Sequence, residues 1–148
     1  MYMERYVYIQ IVDFNSELQK KSIELRTKVL REPLGLVYTR EQLEDEKDEI
    51  HIVAIIDNTI VGVLLLKKLD NERIKMRQVA VAIDLQKTGI GKKLVAFSEE
   101  FAQENGFIKI VLHARDTAKR FYQTLNYQII GKSFMEVGIL HYKMEKAI

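Results

Sequence analysis

Residues 77–94 read RQVAVAIDLQKTGIGKKL. Val79 to Ile83 is an apolar run that lacks the alternation of a half-buried strand, which predicts a central strand covered on both faces. From Gly89 the pattern changes, because Ile90, Leu94, Phe97 and Phe101 fall on one helical stripe. Glycines therefore stand where a strand hands over to a helix. The first turn of a helix has N–H groups without partners in the helix and carries the positive end of its dipole, so glycines there let an anion approach several donors at once. Lys87, Lys92 and Lys93 add positive charge at the same point. Gln86 to Lys92 is thus a candidate pyrophosphate site.

Upstream, His51 to Asp57 and Thr59 to Lys67 read as a hairpin about Asp57-Asn58, and Asp70-Asn71 turns the chain into a strand from Arg73 to Ile83. Earlier still, Tyr6 to Val12 has strand composition. Asn15 or Ser16 caps a helix that carries Leu18, Ser22, Leu25 and Val29 and runs to about Leu30. Pro33 and Gly35 break it, and Thr39 with Gln42 has the spacing of a capping box for a short polar helix. Downstream, Gly106 is placed to end the long helix in a left-handed conformation, and Phe107 to Ala114 is a strand. Asp116 is the expected cap of a short helix bearing Ala118, Phe121, Tyr122 and Leu125, which Asn126 terminates. Gln128 to Met135 and Ile139 to Met144 are strands joined through Glu136-Val137-Gly138. The order is β-α-α-β-β-β-α-β-α-β-β, and a helix between two strands favours a right-handed parallel crossover.

The length, 148 residues, predicts a single domain over 1–148. With 47% hydrophobic and 30% charged residues the chain has both a core and a solvated surface. A net charge of +2 provides no strong field for nucleic acid or an anionic membrane. No apolar run reaches the roughly 20 residues that span a bilayer, and MYMERYVYIQ lacks the apolar stretch of a secretion signal, so a cytoplasmic location is expected. Cysteine is absent, which removes disulfides, thiolate metal sites and a cysteine nucleophile. His51, His113 and His141 show no metal-ligand spacing, and no metal is expected. The acidic run EQLEDEKDE, residues 41–49, reads as a solvated face or as an attractor for a cationic acceptor.

A Walker loop ending at Gly91-Lys92 would need glycine at Gln86 and Ser or Thr at Lys93, and a dinucleotide fingerprint from Gly89 would need glycine at Leu94. Gln86-x-x-Gly89-x-Gly91 instead resembles the [QR]-x-x-G-x-[GA] acetyl-coenzyme A loop of the GNAT N-acetyltransferase superfamily. Ala118-Lys119-Arg120-Phe121-Tyr122, continuing to Asn126-Tyr127, is similar to that family's A-x-x-F-Y-x-x-x-G-[FY] helix, with Asn126 in place of glycine. The hairpin FMEVGILHYKM, residues 134–144, resembles a bacterial subgroup with F-x-E-x-G-I-P-H, Leu140 standing for the proline. The likeness covers nearly the whole chain.

The resemblance implies an α+β three-layer fold with a mixed, mostly antiparallel sheet of about seven strands and a parallel splay between the fourth and fifth. It implies that Val79, Ala80 and Val81 hold the pantetheine arm by main-chain hydrogen bonds, and that Gln86, Lys87, Thr88, Gly89, Ile90, Gly91 and Lys92 surround the pyrophosphate. Read alone, Tyr122 on its apolar stripe is a core residue; the resemblance makes it the general acid toward the thioester sulfur. Glu136 and His141 are the first candidates for the base, with His113 beside them. The implied activity is transfer of the acetyl group of acetyl-CoA to a primary amine by direct attack in a ternary complex. The acceptor is open between small molecules and peptide or protein amines, without nucleic acid or membrane, and homodimers are frequent in the family. The alternatives are an acyl-CoA sensor without turnover and a mononucleotide binder.

Overall fold

Tyr8–Val12 forms β1 in the computed structural model, which describes residues 6–148; the first five residues of the expected 1–148 span lie outside the described residues. Contacts group the chain into two interleaved units: the residues up to Leu66 with Gln78–Ser98, and Lys67–Arg77 with Glu99–Ile148.

In the first unit, β1 pairs antiparallel with β2 (Ile50–Ile56), and β2 with β3 (Thr59–Lys68). Asp57 and Asn58 both take positive φ, 47° and 62°, the two left-handed residues that a two-residue hairpin with right-handed strand twist requires. Helix α1 (Glu17–Arg26) starts at Ser16, whose side chain accepts from the Gln19 amide at 3.2 Å. Leu18, Leu25 and Val29 pack on a core of Val12, Val53, Ile60, Val63, Leu65 and Ala80. The α-helix ends short of Leu30 and widens into a π-turn over Thr27–Arg31. Thr27 Oγ1 donates to the Ile23 carbonyl at 2.6 Å, a side-chain bond to the i−4 acceptor of the kind that bends helices. The capping box forms as expected on α2 (Arg40–Glu44), with Gln42 N to Thr39 Oγ1 at 3.1 Å and Thr39 N to Gln42 Oε1 at 2.9 Å.

Strand β4 (Arg73–Val81) passes through both units, and helix α3 (Ile90–Glu104) does the same. The expectation of a strand to Ile83 buried on both faces is corrected. Only Ala80 of this run is buried, and Ile83 is 62% exposed. The Ala82 amide still donates to Val61 O on β3 at 2.8 Å, and the strand ends beyond it because Ile83–Leu85 coils into a 3₁₀ turn.

In the second unit β4 and β5 (Lys109–Arg115) run parallel over Arg73–Met76 and Lys109–Leu112. Strand β5 then pairs antiparallel with β8 (Ile139–Ala147), on which β6 (Gln128–Ile129) and β7 (Phe134–Glu136) also lie. The stretch expected as one strand is therefore two, interrupted around Gly131 at φ 74°, which gives eight strands among the described residues. With the parallel β4–β5 pair among antiparallel neighbours, the mixed sheet has the expected α+β character. Helix α4 (Lys119–Thr124) begins after Ala118 with no side-chain cap. The expected cap, Asp116, meets Lys119 Nζ at 3.1 Å instead. Gly106 and Asn126 take the expected left-handed conformations, φ 86° and 72°.

Candidate functional site

The loop from Gln86 to Gly89 alternates in hand: Gln86 is extended, Lys87 has φ 65° and Gly89 has φ 95°. An extended residue followed by a left-handed one is the central pair of a type II turn, and the left-handed Gly89 leads directly into α3 (Ile90–Glu104). Two side chains brace it, Gln86 Nε2 donating to Val81 O at 3.1 Å and Thr88 Oγ1 donating to Leu85 O. Helix α3 opens behind it, its first intrahelical bond running from Lys93 N to Gly89 O at 3.1 Å. Among the described residues, the amides of Ile90, Gly91 and Lys92 meet no acceptor. A Cβ on Gly89 would have nothing within 4 Å, so the space beside this glycine is open. Gln86, Lys87, Thr88, Gly89, Lys92 and Lys93 are exposed, whereas Ile90 is buried and anchors the turn.

Gly62 on β3 makes this anchoring close. A Cβ there would lie 2.7 Å from Leu94 Cδ1 and 3.2 Å from Ile90 Cγ2. Sequence reading passed over this glycine, since only the approach of α3 gives it a role. Val79 and Val81 are half-buried and flank the buried Ala80, so the end of β4 keeps one side accessible. These residues and the loop share the first unit, in which the unpaired amides at the start of α3 are donors for an anion.

The second unit holds the remaining candidates. Tyr122 on α4 is buried, with ring centroids 5.1 Å from Phe121 and 5.8 Å from Tyr127. No hydrogen bond to its hydroxyl is present among the described residues. Burial raises its pKa well above the ordinary tyrosine value, so the group holds its proton at neutral pH. Tyr127, by contrast, donates to Glu99 Oε2 at 3.2 Å, and Lys146 Nζ holds the same carboxylate.

Glu136 and His141 come together across the β7–β8 hairpin, with Glu136 Oε2 3.5 Å from His141 Nε2. His141 Nδ1 lies 2.8 Å from the Ile139 carbonyl oxygen, and the opposite ring nitrogen, Nε2, is the one that faces the carboxylate. His113 joins them, its Nδ1 3.2 Å from Glu136 Oε1 and 3.5 Å from Lys75 Nζ. Burial, and then the Lys75 charge, hold the His113 pKa below 6.5. Phe134 lies against both rings, at 4.9 Å from His113 and 5.9 Å from His141. His51 lies elsewhere, in the first unit, buried with Nε2 2.9 Å from Glu46 O. Among the described residues no group of three or more His, Asp or Glu is gathered as for a metal. No helix there is long and apolar enough to cross a membrane.

Residues 22–148 match the family described as acetyltransferase (GNAT) domain. The chain is similar to the uncharacterized protein YyaT of Bacillus subtilis (strain 168), 32% identical over 123 residues, covering 76% of this chain and 82% of the relative. In fold it is similar to a putative N-acetyltransferase from Lactobacillus plantarum, TM-score 0.85 at 22% identity over 95% of this chain and 97% of the other. It is likewise similar to an aminoglycoside 6'-N-acetyltransferase complexed with coenzyme A, TM-score 0.79 at 17% identity over 95% and 96% of the two chains.

Proposed function

The chain belongs to the GNAT acetyltransferase family and is an acyltransferase; from that premise we propose that it moves the acetyl group of acetyl-CoA onto a primary amine by direct attack in a ternary complex. The observation that carries this reading is the set of acceptor-free amides at Ile90, Gly91 and Lys92 behind the left-handed Gly89. A diphosphate supplies the acceptors these donors lack, and Gln86, Lys87 and Thr88 close the loop around it. Val79, Ala80 and Val81 take the pantetheine arm along the accessible side of β4.

In the reaction the amine nitrogen attacks the thioester carbonyl, the carbon–sulfur bond breaks and the sulfur leaves as a thiolate. Tyr122 gives its proton to that sulfur and recovers one from solvent. Alkylammonium groups titrate near about 10, so the amine must lose a proton before or during attack. Glu136 receives it, with His141 fixing the carboxylate and His113 adjacent. The whole span 1–148 acts as one domain, in the cytoplasm and without metal, nucleic acid or membrane; assembly as a homodimer is part of the same reading. Calorimetric titration of acetyl-CoA, followed by thiol release across small-molecule and peptide amines with mass spectrometry of the products, tests it. Binding with acetylated product supports transfer. Binding without thiol release supports a sensor, and heat from ATP but not from coenzyme A supports a mononucleotide binder.

A further inference from the structure

We propose that the acceptor amine carries an anionic group, a carboxylate or a phosphate, and that Arg31 binds it; this rests on the acetyl-transfer reading above. The guanidinium carbons of Arg26 and Arg31 both lie 4.6 Å from the centroid of the Tyr38 ring. Their situations differ. Arg26 is almost wholly buried, and its charge is matched by Glu46, also buried, through Nη2 and Oε1. Arg31 has no carboxylate partner among the described residues, and none of its guanidinium nitrogens has a hydrogen-bond partner there. Its Nε is closed off from solvent, the terminal nitrogens are not among the closed-off unpaired atoms, and the residue as a whole is half-buried.

Two guanidiniums against one carboxylate leave this cluster with an unmatched positive charge. The Tyr38 ring face attracts the cation but accepts none of its directed N–H bonds. A guanidinium held in place by a ring, with its outer fork free, has the planar pair of donors that fits a carboxylate or phosphate. The π-turn over Thr27–Arg31 is what sets Arg31 in place, and such turns are frequent at functional positions.

The location ties this fork to the proposed chemistry. The Tyr38 hydroxyl donates to Gln78 Oε1, and Gln78 takes φ 54° within β4, a conformation costly for a residue with a side chain. Val79 to Val81, proposed to hold the thioester arm, follow directly. The acidic run that promised to attract a cationic acceptor is partly spent here, because Glu46 neutralises Arg26.

The test compares amines that differ only in the anion: leucine against leucinamide, and phosphoethanolamine against ethanolamine. Thiol release should favour an anionic member by about tenfold or more in kcat/KM, the worth of a charge-assisted hydrogen bond. Which pair responds distinguishes carboxylate from phosphate. In Arg31→Gln that preference should collapse, mainly through KM, while acetyl-CoA affinity stays at the wild-type value. Arg31→Lys, which keeps the charge but loses the fork, should recover only part of it. A second readout is the NMR signal of the Arg31 Nε–H, assigned by its loss in Arg31→Lys. With coenzyme A present it should shift with an anionic probe and not with the matched neutral amine. Equal use of both members of each pair, an undiminished preference in Arg31→Gln, or no Nε–H shift with either anion overturns the inference. Failure of acetyl-CoA to bind the wild-type protein is a different result, since it removes the transfer reading itself.

Discussion

A Cβ on Gly62 would stand 2.7 Å from Leu94 Cδ1, so β3 and the first turns of α3 meet without room for a methyl group. Leu94 is fully buried and Ala54 and Ile90 crowd the same point, which leaves little space for relaxation. Gly62→Ala should cost about 1–3 kcal/mol in urea unfolding, the usual range for overpacking. Relief by displacing α3 also moves the amides of its first turn, so acetyl-CoA affinity should fall in the same variant.

Gly89 separates backbone strain from ligand exclusion. Its φ of 95° disfavours any side chain, but the space beyond is open. Gly89→Ala should therefore cost about 1 kcal/mol of stability with the loop retained. Gly89→Glu adds a negative charge and bulk over the amides of Ile90 to Lys92, and acetyl-CoA binding by calorimetry should drop far more than in the alanine variant. Equal affinity in the two variants would count against a diphosphate at this loop.

Local chemistry made much of the fold legible. Asp57-Asn58, Gly106 and Asn126 announce left-handed geometry in their own residue types, and the Thr39–Gln42 box is closed within one helical turn. The loop at Gln86–Gly91 could be found because its glycines lie between a strand pattern and a helix pattern. What escaped depends on distant partners. Arg26 is a charged residue within α1, yet it is buried against Glu46 twenty residues on. Ile83 reads as core but lies in a turn after the ladder has ended. His113 was read as secondary to Glu136 and His141, because only the β7–β8 hairpin brings all three side chains together.

The tip of that hairpin is strained in an identifiable way. Val137 and Gly138 form a two-residue turn with φ 46° and 76°, and the first is a β-branched residue in the left-handed region. Asparagine tolerates this geometry at the first position of such turns, so Val137→Asn should stabilise the protein, by about 0.5–1 kcal/mol in urea unfolding. Val137 is exposed, and its replacement removes no buried contact.

Tyr122→Phe removes a proton donor while keeping the ring contacts to Phe121 and Tyr127. Turnover should fall by about 10²–10⁴ with acetyl-CoA affinity little changed. Burial raises the folded-state pKa of both Tyr122 and Tyr127. Their stabilisation is thus fully present below the unfolded value near 10 and is lost as pH rises from there through the folded value. Urea midpoints above pH about 10 should decline less steeply in Tyr122→Phe than in the wild type.

Glu136 bridges two histidines, and its removal should affect chemistry and titration differently. Glu136→Gln keeps the shape of the side chain but lacks a carboxylate to receive the amine proton, so kcat should fall by about 10²–10⁴ while acetyl-CoA affinity holds. A wild-type rate in this variant would move the base to another residue. His113 supplies the pH signature. Its folded pKa is held below 6.5 by burial and by Lys75, so the neutral ring is favoured in the folded state. The stability this contributes is present above the unfolded value of 6.5 and is lost as pH falls below it through the folded value. Glu136 opposes the shift, because its carboxylate favours the charged ring. Glu136→Gln should therefore lower the His113 pKa further, read from its ring resonances by NMR, and steepen the acid loss of stability. His113→Gln should flatten that loss. A His113 titration unmoved by Glu136→Gln would mean that the 3.2 Å contact is not made in solution, and the proposed base would lose one of its two flanking rings.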